Sequence, residues 1–116
     1  MPHVIPPARN CRIGIIGLGG IWSKAHAPAI ASLRERGWPI DVVAGADPDP
    51  ARRADAAQLF PGMRLHPTGM DLLAEPLDLL IIATWPPLSA ELASAACGRV
   101  PRILVEKPVA HDPQII

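Results

Sequence analysis

The chain has 116 residues, with eleven Lys and Arg against eleven Asp and Glu and no net formal charge at pH 7. That length suits one domain around one core, and the balanced charge excludes the basic surface by which proteins hold nucleic acid or acidic membranes. No apolar run approaches the roughly 18 residues of a membrane span, and residues 1–10, with Pro2, Pro6 and Pro7, read as a flexible leader and not a secretory signal.

A first strand is expected over 12–17, where Ile13 to Ile16 end abruptly at Gly17-Leu18-Gly19-Gly20. That is how a buried parallel strand turns sharply into a helix. Gly17 suits the tight turn, and Gly19 and Gly20 leave room for a phosphate to approach the backbone. The first amides of the following helix, around Ile21, would point at it. Trp22 holds the third position of a G-x-G-x-x-G fingerprint, which is therefore incomplete, and a glycine pair at a strand end also fits an ordinary turn.

The helix is expected over 20–36 with an apolar face of Trp22, Ala25, Ala29 and Leu33, bent or broken at Pro28 and stopped at Gly37. A second strand over 40–46 closes on Asp47. Asp49-Pro50 supplies an N-cap and a proline at the first position of a helix over 51–60. A short strand over 64–66 follows, then Thr68-x-x-Asp71 resembles a capping box for a brief helix through residue 74. Residues 78–84 form the next strand, with Leu79, Leu80, Ile81 and Ile82 in an unbroken apolar run that implies cover on both faces. Trp85-Pro86-Pro87 is a stiff loop, 88–97 a helix stopped by Gly98, and 102–105 a fifth strand entering Glu106-Lys107-Pro108. Residues 111–116 read as the start of a further helix, with Asp112 as N-cap. Cys11 and Cys97 lack C-x-x-C spacing and read as reduced thiols of a cytoplasmic protein.

Alternating strands and helices with short loops predict an α/β, Rossmann-type doubly wound parallel sheet of order 3-2-1-4-5. Its ligand crevice lies between the ends of strands 1 and 4, which makes Gly17 to Gly20, Thr84 and Trp85 candidate contacts. Asp47, at the end of the second strand, is placed to accept hydrogen bonds from the adenosine ribose, favouring NAD over NADP. Its distance from Gly19 exceeds the usual spacing of about 20 residues, and the long first helix and the loop to Pro39 account for the excess. Arg52 or Arg53 would reverse the preference by reaching a 2′-phosphate. The plainer reading of Asp47 is a turn cap beside Pro48. A methyltransferase would carry an acid two residues before the first glycine, where Ile15 stands.

The segments Arg12-Ile-Gly-Ile-Ile-Gly-Leu-Gly-Gly-Ile, His26-Ala-Pro28, Ala46-Asp47-Pro48, Ile82-Ala83-Thr84 and Glu106-Lys107-Pro108 resemble the Gfo/Idh/MocA family of glucose–fructose oxidoreductase and inositol dehydrogenase-like proteins. The resemblance implies an NAD(P)-dependent oxidoreductase of sugars, cyclitols or related alcohols, its nucleotide-binding domain (11–116) followed by an α/β substrate domain. It implies that Lys107 sits beside the nicotinamide and helps polarise or deprotonate the reacting hydroxyl. Glu106 is expected to help hold that lysine and the cofactor. Two departures stand out: Trp22 in the phosphate turn, and Trp85-Pro86-Pro87-Leu88-Ser89 where the family often has Pro-Pro-x-x-His. The expected partners are a dinucleotide and, with a C-terminal domain, a polyol or sugar, but neither nucleic acid nor membrane. Homo-oligomerisation is compatible with this.

The chain reads as the front portion of a longer enzyme, inactive alone. The alternatives are a dinucleotide-binding or regulatory module that needs a partner chain, and a truncated remnant that binds nothing. His26 is expected to pack, while His3, His66 and His111 read as solvated and no residues have metal-site spacing. The Trp22 indole is expected to turn outward over the phosphate turn, since a small residue there lets the helix lie close to the strand.

Overall fold

A computed structural model describes residues 10–84 and 86–106. The elements run β1 (Cys11–Ile16), a π-helical turn (Trp22–His26), α1 (Ala27–Glu35), β2 (Ile40–Ala46), α2 (Pro50–Leu59), β3 (Arg64–His66), α3 (Gly69–Leu72), β4 (Leu79–Ile82), α4 (Pro86–Ala96) and β5 (Arg102–Val105). All five strands pair in parallel in the order β3-β2-β1-β4-β5. The expected helix start at Asp112, with His3 and His111, lies outside the described residues.

Successive strand side chains alternate between faces, so each consecutive apolar run divides into two cores. Ile13, Ile15 and Ile81 join Trp22, Ile30 and Phe60 on the α1–α2 side. Ile16, Leu80 and Ile82 join Leu72, Leu92 and Ala96 on the α3–α4 side. The β1–β2 register steps by one residue, from Ile13 opposite Val42 to Gly14 opposite Ala44. Gly17, at φ 97°, then ends β1. A Cβ there would overlap the Ala83 carbonyl oxygen, so the turn admits only glycine.

The first helix departs from expectation in its phase. It is helical from Gly20, but its second turn is π-helical, with the Ala27 N–H bonded to the Trp22 carbonyl. The wide turn puts Trp22 and Ala27, five residues apart, on one buried face with Ile30. Ala25 and Ala29, predicted inward, are exposed. Pro28 does not break the helix: it stands in the first turn of α1, directly after the π turn that takes up its missing donor.

Trp22 corrects a second expectation, because the indole points inward and is 1% exposed. It packs on Phe60 with ring centroids 5.6 Å apart, and its Nε1–H finds no acceptor among the described residues. The small side chains that leave room for it are Ala27 and Ala56, in the same core.

Candidate functional site

Where the sheet order reverses, a cleft of about 460 Å³ opens at the C-terminal ends of the strands. It is lined by Gly17, Gly19, Gly20 and Ile21 after β1, by Asp47 after β2 and by Thr84 after β4. Six predicted site residues from three separate segments therefore share one surface. Lys107 and Trp85 lie outside the described residues.

The floor of the cleft is the glycine turn between β1 and the first helix. The Gly17 amide is committed to the Ala46 carbonyl, and the Leu18 amide to Asp47. The helix begins with the Ser23 N–H on the Gly19 carbonyl. The amides of Gly20, Ile21 and Trp22 precede the first donor of that ladder, so they have no acceptor within the helix. A Cβ at Gly20 would meet nothing within 4 Å, so the turn is open to a ligand above these amides. Orphan donors at an open helix N-terminus suit the pyrophosphate of a dinucleotide.

Asp47 takes the turn-capping role considered for it and adds a second contact. Its Oδ1 accepts from the Asp49 N–H at 2.9 Å, the turn-capping role. Its Oδ2 accepts from the Leu18 N–H at 2.9 Å, which ties the phosphate turn to the end of β2. The side chain is 5% exposed, and that small face belongs to the cleft wall. A carboxylate has about four lone-pair sites, so capacity remains for ribose hydroxyls.

The two arginines of α2 part company. The Arg53 Nη1–H donates to the Asp47 carbonyl at 2.7 Å and braces the turn from behind. Arg52 swings over the phosphate turn, with Nη1 3.8 Å from Asp47 Oδ2 and 3.3 Å from where a Gly19 Cβ would stand. On the far side, Thr84 and Ser89 are locked together. One hydroxyl contact is 2.8 Å, and the Ser89 hydroxyl donates to the Thr84 carbonyl at 2.9 Å. With that proton spent, the Thr84 hydroxyl donates to Ser89 and offers a ligand only acceptor lone pairs. Ser89 thus closes the β4–α4 turn at the position where the resembling family often has histidine.

Glu106 stands apart from the cleft. Its Oε2 lies 2.7 Å from His26 Nε2, while its N–H is held by the Ile82 carbonyl. His66, expected in solvent, is half-buried with Nε2 2.8 Å from Glu75 Oε2. Arg64 grips the same carboxylate with Nε 2.8 Å from each oxygen. That contact holds the Glu75 carboxyl below its usual range, with His66 adding to it against the opposing effect of burial. Among the described residues no three His, Cys, Asp or Glu gather as a metal site, and no helix is long and apolar enough to cross a membrane.

Pro67 to Met70 form a wall of the cleft that motif reading missed. The signal was present. The Thr68 capping box fixes a helix start directly after β3, at the sheet edge that faces ligands, and the Asp71 N–H donates to Thr68 Oγ1 at 3.2 Å.

Comparison with known proteins agrees with this geometry. A levoglucosan dehydrogenase from Pseudarthrobacter phenanthrenivorans is 34% identical over 110 residues, 89% of this chain and 27% of that protein. The WlbA dehydrogenase of Bordetella pertussis, solved with NADH and UDP-GlcNAcA, superposes with TM-score 0.71 at 30% identity over 89% of this chain and 29% of its own. The WlbA dehydrogenase of Chromobacterium violaceum, solved with the same pair, gives TM-score 0.75 at 26% identity over 96% and 32%. The chain thus spans about 30% of the length of these relatives. Residues 11–116 match the model of the oxidoreductase family with the NAD-binding Rossmann fold, and the chain belongs to that Gfo/Idh/MocA family.

Proposed function

We propose that this chain is the nucleotide-binding domain of a cytoplasmic oxidoreductase that transfers hydride between NAD and a hydroxyl of a sugar, cyclitol or related alcohol. The observation that supports it most is the convergence of the open glycine turn, Asp47 and Thr84 on one cleft at the switch point. When bound, NAD supplies the hydride acceptor. The chain's own part is to bind and orient. The amides of Gly20 and Ile21 hold the pyrophosphate, Asp47 accepts from the adenosine ribose, and Thr84 accepts a donor nearer the reacting end. Lys107 takes or polarises the proton of the substrate hydroxyl, a role suited to an amine at a ligand edge. The sugar-directed part of the reading draws on the relatives named above. The substrate-holding residues belong to the remaining length that those proteins have.

Calorimetry on the 116-residue chain tests the reading. NAD should bind more tightly than NADP, because the Asp47 carboxylate sits where a 2′-phosphate would add like charge. Arg52→Ala should weaken NADP more than NAD, since Arg52 lines the cleft beside Asp47. Equal or tighter binding of NADP would remove the assigned role of Asp47. Turnover of polyols by the 116 residues alone should be undetectable.

A further inference from the structure

The His26–Glu106 contact lies off the cleft and joins residues 80 positions apart. His26 is the last residue of the π turn, on the helix whose first amides face the cleft. Glu106 is the first residue beyond β5. Its backbone already continues the β4–β5 ladder through the Ile82 carbonyl, so the side-chain contact is a second and independent anchor. The carboxylate accepts, so the ring's Nε2 carries the proton and donates.

The π turn produces this encounter. In an uninterrupted α-helix the residue four places after Trp22 would lie on the same buried face. Here Ala27 takes that place at 3% exposure, and His26 is displaced to the flank, its side chain 19% exposed, where it meets the end of β5. An adjacent Glu-Lys pair in a loop would ordinarily be solvated. In this chain the glutamate is taken by the histidine and the lysine follows directly in sequence.

We propose that His26 is a positioning residue: through Glu106 it fastens the end of β5 to the phosphate-binding helix and so sets Lys107 for the reacting end of a bound dinucleotide. This rests on the role proposed above for Lys107. The physical gain is registry. Misplacing a reacting group by about 1 Å costs on the order of 100-fold in rate, and a single-ladder strand end frays more than one held twice.

Two measurements on the 116-residue chain test it. The first needs no ligand. In His26→Phe, which keeps a ring and removes the donor, hydrogen exchange of the Glu106 amide, held by the Ile82 carbonyl, should speed up at least tenfold while Ile15 in β1 stays protected. Glu106→Leu should reproduce this at the amide of residue 106, and His26→Gln, which keeps a donor, should restore protection. The second compares NAD with ADP-ribose, which lacks the nicotinamide. His26→Phe should weaken NAD about five- to tenfold, the worth of one hydrogen bond, and ADP-ribose less than twofold. Unchanged exchange at the Glu106 amide overturns the proposal, as do equal losses for the two ligands or no loss for either. A wild-type chain that binds neither ligand overturns the proposed function instead, and the exchange result then judges the tether by itself.

Discussion

Trp22 shows how one residue can contradict its motif without spoiling the fold. A ring of that size inside a core supplies more contact than any neighbour, and truncation leaves a hole the backbone cannot close. Trp22→Ala should cost about 3–5 kcal/mol of stability, read as a denaturation midpoint, with no tightening of NAD binding. Trp22→Phe should lose less than half as much, because the indole N–H it removes has no acceptor among the described residues and an unpaired buried donor is itself unfavourable. Glu75 gives a pH-dependent prediction. Its folded pKa is lowered, chiefly by the hydrogen bond from Arg64. Its contribution is therefore complete above the unfolded carboxylate range, near 4.3, and disappears as pH falls through the lower folded value. Glu75→Gln should cost about 1–2 kcal/mol at pH 7. The gap from wild type should narrow in urea titrations taken progressively below pH 4.

At the level of elements, the strands were legible and the phase of the first helix was not. β2, β3 and β5 span the residues expected, 40–46, 64–66 and 102–105, because local turn chemistry marks their ends: β2 lies between Pro39 and Asp47, β3 stops at Pro67 and β5 starts after Pro101. The π turn is not written locally. It answers three demands at once: a large ring needing a cavity between α1 and α2, a proline without a donor, and a histidine drawn to a glutamate far along the chain. The same limit hid the half-burial of His66, fixed by Glu75 from beyond α3. A charge scan reports the phase directly. Ala27→Glu should destabilise by about 3 kcal/mol or more, and Ala25→Glu and Ala29→Glu should stay within about 0.5 kcal/mol. Thermal melts that rank Ala25 or Ala29 as the sensitive position would mean an uninterrupted α-helix.

Among the described residues the sheet is clasped at its β3 margin and apolar and exposed at its β5 margin. β3 is short and clasped by the Glu75 carboxylate through Arg64 and His66. At β5, Leu104 and Val105 are each 45% exposed although they point to opposite faces. Consecutive exposed apolar residues on an outer strand invite pairing with another chain. Leu104→Lys should therefore lower self-association in sedimentation equilibrium without moving the cleft, so NAD affinity stays within twofold.

The central position of β1 has a consequence for how the chain is made. β1 pairs with β2 on one side and β4 on the other, and the Arg12 N–H rests on Asp78 Oδ2, 66 residues downstream. In synthesis β1, β2 and β3 all precede β4, so β1 keeps an open ladder until residues 79–82 clear the ribosome, while the face that carries Ile16 is covered by α3 and α4. At about 5–20 residues per second, that interval lasts on the order of seconds. The strand that carries the nucleotide turn is thus the nascent chain's most vulnerable edge, and β4 arrives as its cap.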